Sequence, residues 1–222
     1  MTSRTPIDGA PHATKFGTLV LAVLAVLAAG CSRSADTVES RATADSPSSP
    51  NPSPSTAAMR LDQPEKLLGS WNESVDRRLI ELAEKNMGAF KEFLAGEPTS
   101  AVGTAYTAVK EKYSPGLGVH RPDDSRFILL SGVSGTVTAP EAVLDAVFAG
   151  LTAVTDVEPV QPGPLGGIAR CGTSKNKGIR VDVCAWAGPH TLGMVHFGGF
   201  ARTDSPDQMF RRIRSEAEHP AG

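Results

Sequence analysis

The chain has few aromatic residues, few cysteines, no strong excess of either charge and no long apolar run. Its aromatics are 8 Phe, 2 Trp and 2 Tyr, and a core of ordinary size takes most of them. That argues against an exposed sugar-stacking platform, which needs several. Lys and Arg number 22 against 24 Asp and Glu, a formal net charge of −2, so no basic surface for nucleic acid is implied. The main apolar run, Phe16 to Ala29, is shorter than the roughly 20 residues a helix needs to span hydrocarbon. A permanent membrane-spanning helix is therefore not expected. The 3 cysteines come without a CxxC or an HxxxH, which leaves too few ligands at metal-binding spacing. The pattern implies neither a metal nor a cofactor.

What is present begins at the N-terminus. Arg4 and Lys15 precede the apolar run, which ends Ala28-Ala29-Gly30-Cys31. Positive residues, a short apolar core and small residues at the end read as an export signal. The segment resembles the lipobox of bacterial lipoproteins, with Ala28 where that family most often has Leu. The resemblance implies that residues 1–30 are a signal peptide and that Cys31 becomes the first mature residue, its thiol diacylated. Two or more acyl chains hold a protein stably where one does not, so the implied location is the outer face of the cell membrane. An ordinary secretory signal cut after Ala29 or Gly30 is the alternative, with Cys31 left as a spare thiol.

From Ser32 to Met59 most residues are Ser, Thr, Pro or Ala, with Pro47, Pro50, Pro52 and Pro54 close together. Residues 31–60 read as a lipidated cysteine followed by a disordered tether, about 30 Å from end to end as a flexible coil. The composition also permits a glycosylated stalk. Asn51-Pro52-Ser53 is no Asn-linked acceptor, because proline holds the excluded position. Residues 61–222 suit one domain.

With Cys31 lipidated, Cys171 and Cys184 remain, and an exported protein can keep them as a disulfide. They enclose a polar segment followed by the alternating Ile179, Val181 and Val183, which predicts a hairpin stapled across its two strands. A turn centred on Lys177-Gly178 sets Cys171 opposite Cys184; a three-residue loop, Asn176-Lys177-Gly178, is the other register.

Val75, Leu79, Leu82, Ala83, Met87, Phe90 and Leu94 recur at helical spacing and predict an amphipathic helix ending at Gly96. Val102, Tyr106, Val109 and Tyr113 repeat that spacing and predict a second helix. Phe127-Ile128-Leu129-Leu130 reads as a buried strand and Gly132-Val133-Ser134-Gly135 as a turn. Thr138-Ala139-Pro140-Glu141 is a capping box opening a helix with Val143, Leu144, Val147, Phe148 and Leu151 inward. After a Pro/Gly-rich loop over 158–167, strands are expected at about 168–172, 179–187 and 191–198. Ser205-Pro206-Asp207-Gln208 then caps a helix carrying Met209, Phe210 and Ile213. The expected class is α+β, a largely antiparallel sheet of about four strands covered by helices, with one disulfide-stapled hairpin.

Cys171, Cys184-Ala185-Trp186-Ala187 and Gly193-Met194-Val195-His196-Phe197 together resemble a group of small exported actinobacterial proteins, over about the C-terminal third. The resemblance implies a disulfide-bonded α+β envelope domain and carries no catalytic residues. Other motifs are incomplete. Ser174-Lys175-Asn176-Lys177 fits the Ser-x-x-Lys of penicillin-binding enzymes but lies in a polar turn, without the partner Ser-Asp-Asn or Lys-Thr-Gly. Gly132-Val133-Ser134-Gly135 falls short of a nucleophile elbow; as an anion-binding turn between strand and helix it lacks the Lys of a phosphate loop. His120, His190 and His196 would make a metal site only if the fold brought them together. Trp186 alternates with Cys184 and is expected to cover the disulfide or a helix.

The functional expectation is a membrane-anchored extracytoplasmic lipoprotein acting as a non-enzymatic binding or interaction module, with an envelope protein or cell-wall ligand as partner. A small envelope hydrolase using Ser134 or Ser174, and an accessory subunit of a membrane complex, are the alternatives.

Overall fold

A computed structural model describes residues 58–120, 124–176 and 178–222. The expected signal peptide, the expected lipidation at Cys31 and nearly all of the expected tether lie outside the described residues.

The described chain is mostly β, which corrects the α+β expectation. Its strands are β1 (Met59–Leu61), β2 (Lys66–Leu67), β3 (Trp71–Glu73), β4 (Ser100–Thr107), β5 (Lys112–Ser114), β6 (Gly118–His120), β7 (Phe127–Ser134), β8 (Thr155–Val160), β9 (Ile168–Asn176), β10 (Ile179–Ala187), β11 (Thr191–Gly198) and β12 (Glu218–Pro220). Three short helices accompany them, α1 (Arg77–Phe90), α2 (Pro140–Gly150) and α3 (Pro206–Ala217). The main sheet has 8 antiparallel strands, not about four, in the order β2-β3-β4-β7-β11-β10-β9-β8; β1 pairs with β12, and β5 with β6. Among the described residues no helix is long and apolar enough to cross a membrane.

The expected second helix is strand β4. A spacing of four is close to a helical turn and is also even, so Val102 and Tyr106 share a face in either structure. Gly103 and the β-branched Thr104 and Thr107 weaken a helix there. Gly103 also lets α1 lie against the strand, since a Cβ at that position would come within 2.8 Å of the Glu84 Cα. Two other expectations are corrected in the same direction. Gly132, Val133 and Ser134 continue β7 instead of turning, and residues 158–160 belong to β8 instead of a loop.

The helices form largely where the apolar spacing places them. Helix α1 starts at Arg77, with the Asp76 side chain accepting from the Arg78 amide, and runs through a 3-10 turn, Lys91–Phe93, before Gly96. Neither of the two expected capping boxes is made. Ala139 takes the N-cap position of α2 and Ser205 that of α3, each without a side-chain hydrogen bond, so Pro140 and Pro206 supply the start through their fixed φ.

Both faces of the sheet are buried. On one, α1 and α2 cover Leu129, Val133, Val183, Ala185, Leu192 and Met194. Arg170 of β9 ties α2 down through Glu141, at 2.7 Å, and Asp145. On the other face Phe210 and Ile213 of α3, with Leu61 and Trp71, pack on Ile128, Leu130, Val195 and Phe197. Trp186 lies at this level, fully buried, 5.9 Å from the Phe210 ring and directly over Gly193, its partner across the strands, where a Cβ would collide with the indole. It thus covers a helix and shares the face of Cys184, as the alternation predicts. Behind it Arg214 and Glu218 form a buried ion pair at 2.7 Å, completed by the Thr191 hydroxyl and the carbonyls of Pro162 and Gly166.

Cys171 and Cys184 are bonded and face each other across β9 and β10 with Cα atoms 4.0 Å apart. Asn176 pairs with Ile179, so the two-residue register is the one adopted. Strands β5 and β6 form a separate two-stranded arm. At its root the buried Glu111 carboxylate accepts from the Ser74 hydroxyl at 2.7 Å and the Val75 amide at 2.8 Å.

Candidate functional site

Helix α1 lies over β4 and β7, and α2 over β9 and β10. Between them one end of the sheet face stays open, as a cleft of about 450 Å³. Its floor is Leu129, Val181 and Val183, with His196 of β11 among them, and Leu82, Leu151 and Val154 stand at its sides. This position explains why Leu82, which belongs to the apolar stripe of α1, remains 45% exposed. It faces the cleft instead of the packed core. The volume falls within the range of small-molecule sites, which are mostly apolar with a few placed polar groups.

His196 is the polar group deepest in this cleft. Strand alternation puts it on the helical face with Leu192 and Met194, as the sequence pattern predicts. Its Nδ1 is buried and has no hydrogen-bond partner, while the residue as a whole keeps partial exposure. The apolar surroundings push its pKa down to about 4, because burial disfavours the charged ring. At neutral pH the imidazole is uncharged.

The other candidates from the sequence are dispersed. Ser174 lines the same cleft but pairs with Val181, whose partner on the next strand is Gly198. Two strand spacings and two residues of rise put Ser174 and His196 about 12 Å apart at Cα. That is too far for the serine–histidine hydrogen bond of a hydrolase. Ser134 is buried in β7, accepting from the Ser100 hydroxyl at 2.9 Å. The Gly135 amide donates to the His190 carbonyl, which removes it from any anion site. His190 and His196 are separated along extended chain by about 20 Å, and among the described residues no group of three or more His, Cys, Asp or Glu is placed to hold a metal.

A second cleft, of about 420 Å³, lies beside the disulfide on the opposite face and is lined by Asp156, Glu158, Asp182, Asp207, Arg180 and Arg202. Its central charges satisfy one another: the Arg180 Nε donates to Asp182 at 2.9 Å, and the Thr173 hydroxyl donates to the same carboxylate at 3.0 Å. Sequence reasoning passed over the His196 cleft because its lining comes from five helices and strands together with the 151–154 connection. The one local signal was a histidine interrupting the apolar face Leu192, Met194, His196.

Comparison of the chain with protein-family models, with curated proteins and with solved structures yields no match in any of the three.

Proposed function

We propose that the chain is an extracytoplasmic lipoprotein, cut before Cys31 and acylated there, whose domain is a non-enzymatic module that takes a small apolar molecule into the His196 cleft. The observation that carries the binding reading is the cleft itself: a largely apolar concavity whose deepest polar group, His196, is uncharged, with Ser174 nearer its edge. The tether of residues 31–60 then holds this site clear of the lipid headgroups. A hydrolytic reading has less support, since a ring with its pKa near 4 is a weak general base at neutral pH, and Ser174 does not reach it.

The test is extraction of the acylated protein from membranes, followed by mass analysis of small molecules that travel with it. Wild type is expected to carry an apolar compound that Leu82→Glu, a change at an exposed position, does not. Equal recovery from both proteins would count against the cleft.

A second reading, an accessory subunit docking on a membrane complex, is favoured by the β5–β6 arm. Its Tyr113 is 67% and its Leu117 88% exposed, apolar surface of the kind that marks contact sites. Crosslinking from position 117 in intact cells is expected to capture an envelope protein if this reading holds. Recovery of lipid and wall material alone would dismiss it.

A further inference from the structure

The chemistry of the cleft restricts what it can hold. His196 is its central polar group, and the ring is neutral near pH 7. A neutral imidazole carries one proton on one of its two nitrogens. Nδ1 is sealed in the protein without a partner. A proton there would create a buried N–H with no acceptor, a rarer and less tolerated state than an unsatisfied acceptor. The favoured tautomer therefore leaves Nδ1 as a lone pair and puts the proton on Nε2. The ring keeps partial exposure and lines the cleft, so its accessible side, which carries Nε2–H, faces that space. Lys175 also borders the cleft, but its side chain alternates with that of Ser174 and lies with Thr173 and Arg180 on the opposite face of the sheet. No charged side chain rises from the floor to receive an ionised group, and burial of an unpaired charge among Leu129, Val181 and Val183 is costly.

We infer that the cleft binds an uncharged, largely hydrocarbon molecule bearing one acceptor oxygen, a ketone, ester or alcohol, to which His196 Nε2–H donates. This deepens the proposed binding function and rests on it. The apolar walls hold the body of the ligand, and the imidazole selects for the oxygen and sets its orientation.

The test uses a matched pair of probes, 2-acetylnaphthalene and 2-ethylnaphthalene, of similar shape and differing in the acceptor. Methyl resonances of Val181 and Val183 and the imidazole ¹⁵N resonances of His196 report binding to the full chain. Both probes are expected to shift the valine methyls saturably, with the ketone roughly tenfold tighter, the size of one hydrogen bond's net contribution. The Nε2 resonance should move with the ketone alone. In His196→Phe, which keeps a ring in place, the ratio of the two affinities should fall to about one. Taking the ratio in both proteins cancels any partition of probe into the N-terminal apolar run. Leu82→Glu should weaken both probes together. Equal affinities in wild type, or an Nδ1–H tautomer in the ¹⁵N spectrum, would overturn the donor role while leaving an apolar site in place. Failure of both probes to bind would overturn the inference and the binding function with it.

Discussion

His196 makes stability depend on pH in a direction that can be worked out. An unfolded histidine titrates at about 6.5, whereas the folded ring is held down to about 4 by burial. Between these values the unfolded chain takes up a proton that the native protein refuses, so native stability falls as pH drops through that window and levels off below it. Allowing for partial exposure, the loss is on the order of 2 kcal/mol. Denaturant unfolding from pH 7 to pH 4 should show wild type losing this much more than His196→Phe; parallel curves would show that the ring titrates normally. The Arg214–Glu218 pair is different in kind. Both side chains are almost fully buried and hydrogen-bonded, so their contribution lies in mutual satisfaction, and loss of one partner leaves an uncompensated charge.

At the scale of elements, the contact of α1 with β4 depends on a missing side chain. Gly103→Val would drive two methyls into the Glu84 backbone, which Gly103 meets more closely than a Cβ allows. Overpacking of this kind costs about 1–3 kcal/mol or more, and a lowered midpoint in thermal unfolding should report it. A midpoint within error of wild type would mean that α1 shifts freely. The same strand shows what the sequence conceals. Hydrophobic spacing identified α1, α2, α3 and the three strands β9 to β11, because their periods are unambiguous. Val102 and Tyr106 satisfy both periods, so only the pairing of β4 with β3 and β7 decides the matter. Strands β2 and β3 are too short to show a period at all, and β8 contains Pro159, which reads as a loop but is tolerated at the sheet edge. These omissions turned a mostly β fold into an expected α+β one. The disulfide was legible from the cysteine count, since setting Cys31 aside leaves one pair across a polar turn; its register, open between a two- and a three-residue turn, is decided by the pairing of Asn176 with Ile179.

For the whole molecule, the proposed anchor and the bridge can be read together. Intact mass of the protein from membranes is expected to fit a chain beginning at Cys31 with acyl groups attached. Alkylation should add two groups only after reduction, at Cys171 and Cys184. An unacylated chain would end the lipoprotein proposal; thiols reactive without reduction would contradict the bonded hairpin.

The pairing of β1 with β12 has a mechanical consequence. Met59 lies opposite Pro220 and Leu61 opposite Glu218, with the Ala221 amide donating to the Ala58 carbonyl at 2.7 Å. A pull on the chain preceding Met59 is met first by this short ladder and by the burial of Leu61 over Gly132. The ladder is separate from the main sheet, on which Leu61 packs without pairing in it. Under load β1 is expected to yield first, the length it releases absorbing tension ahead of the strands that carry His196.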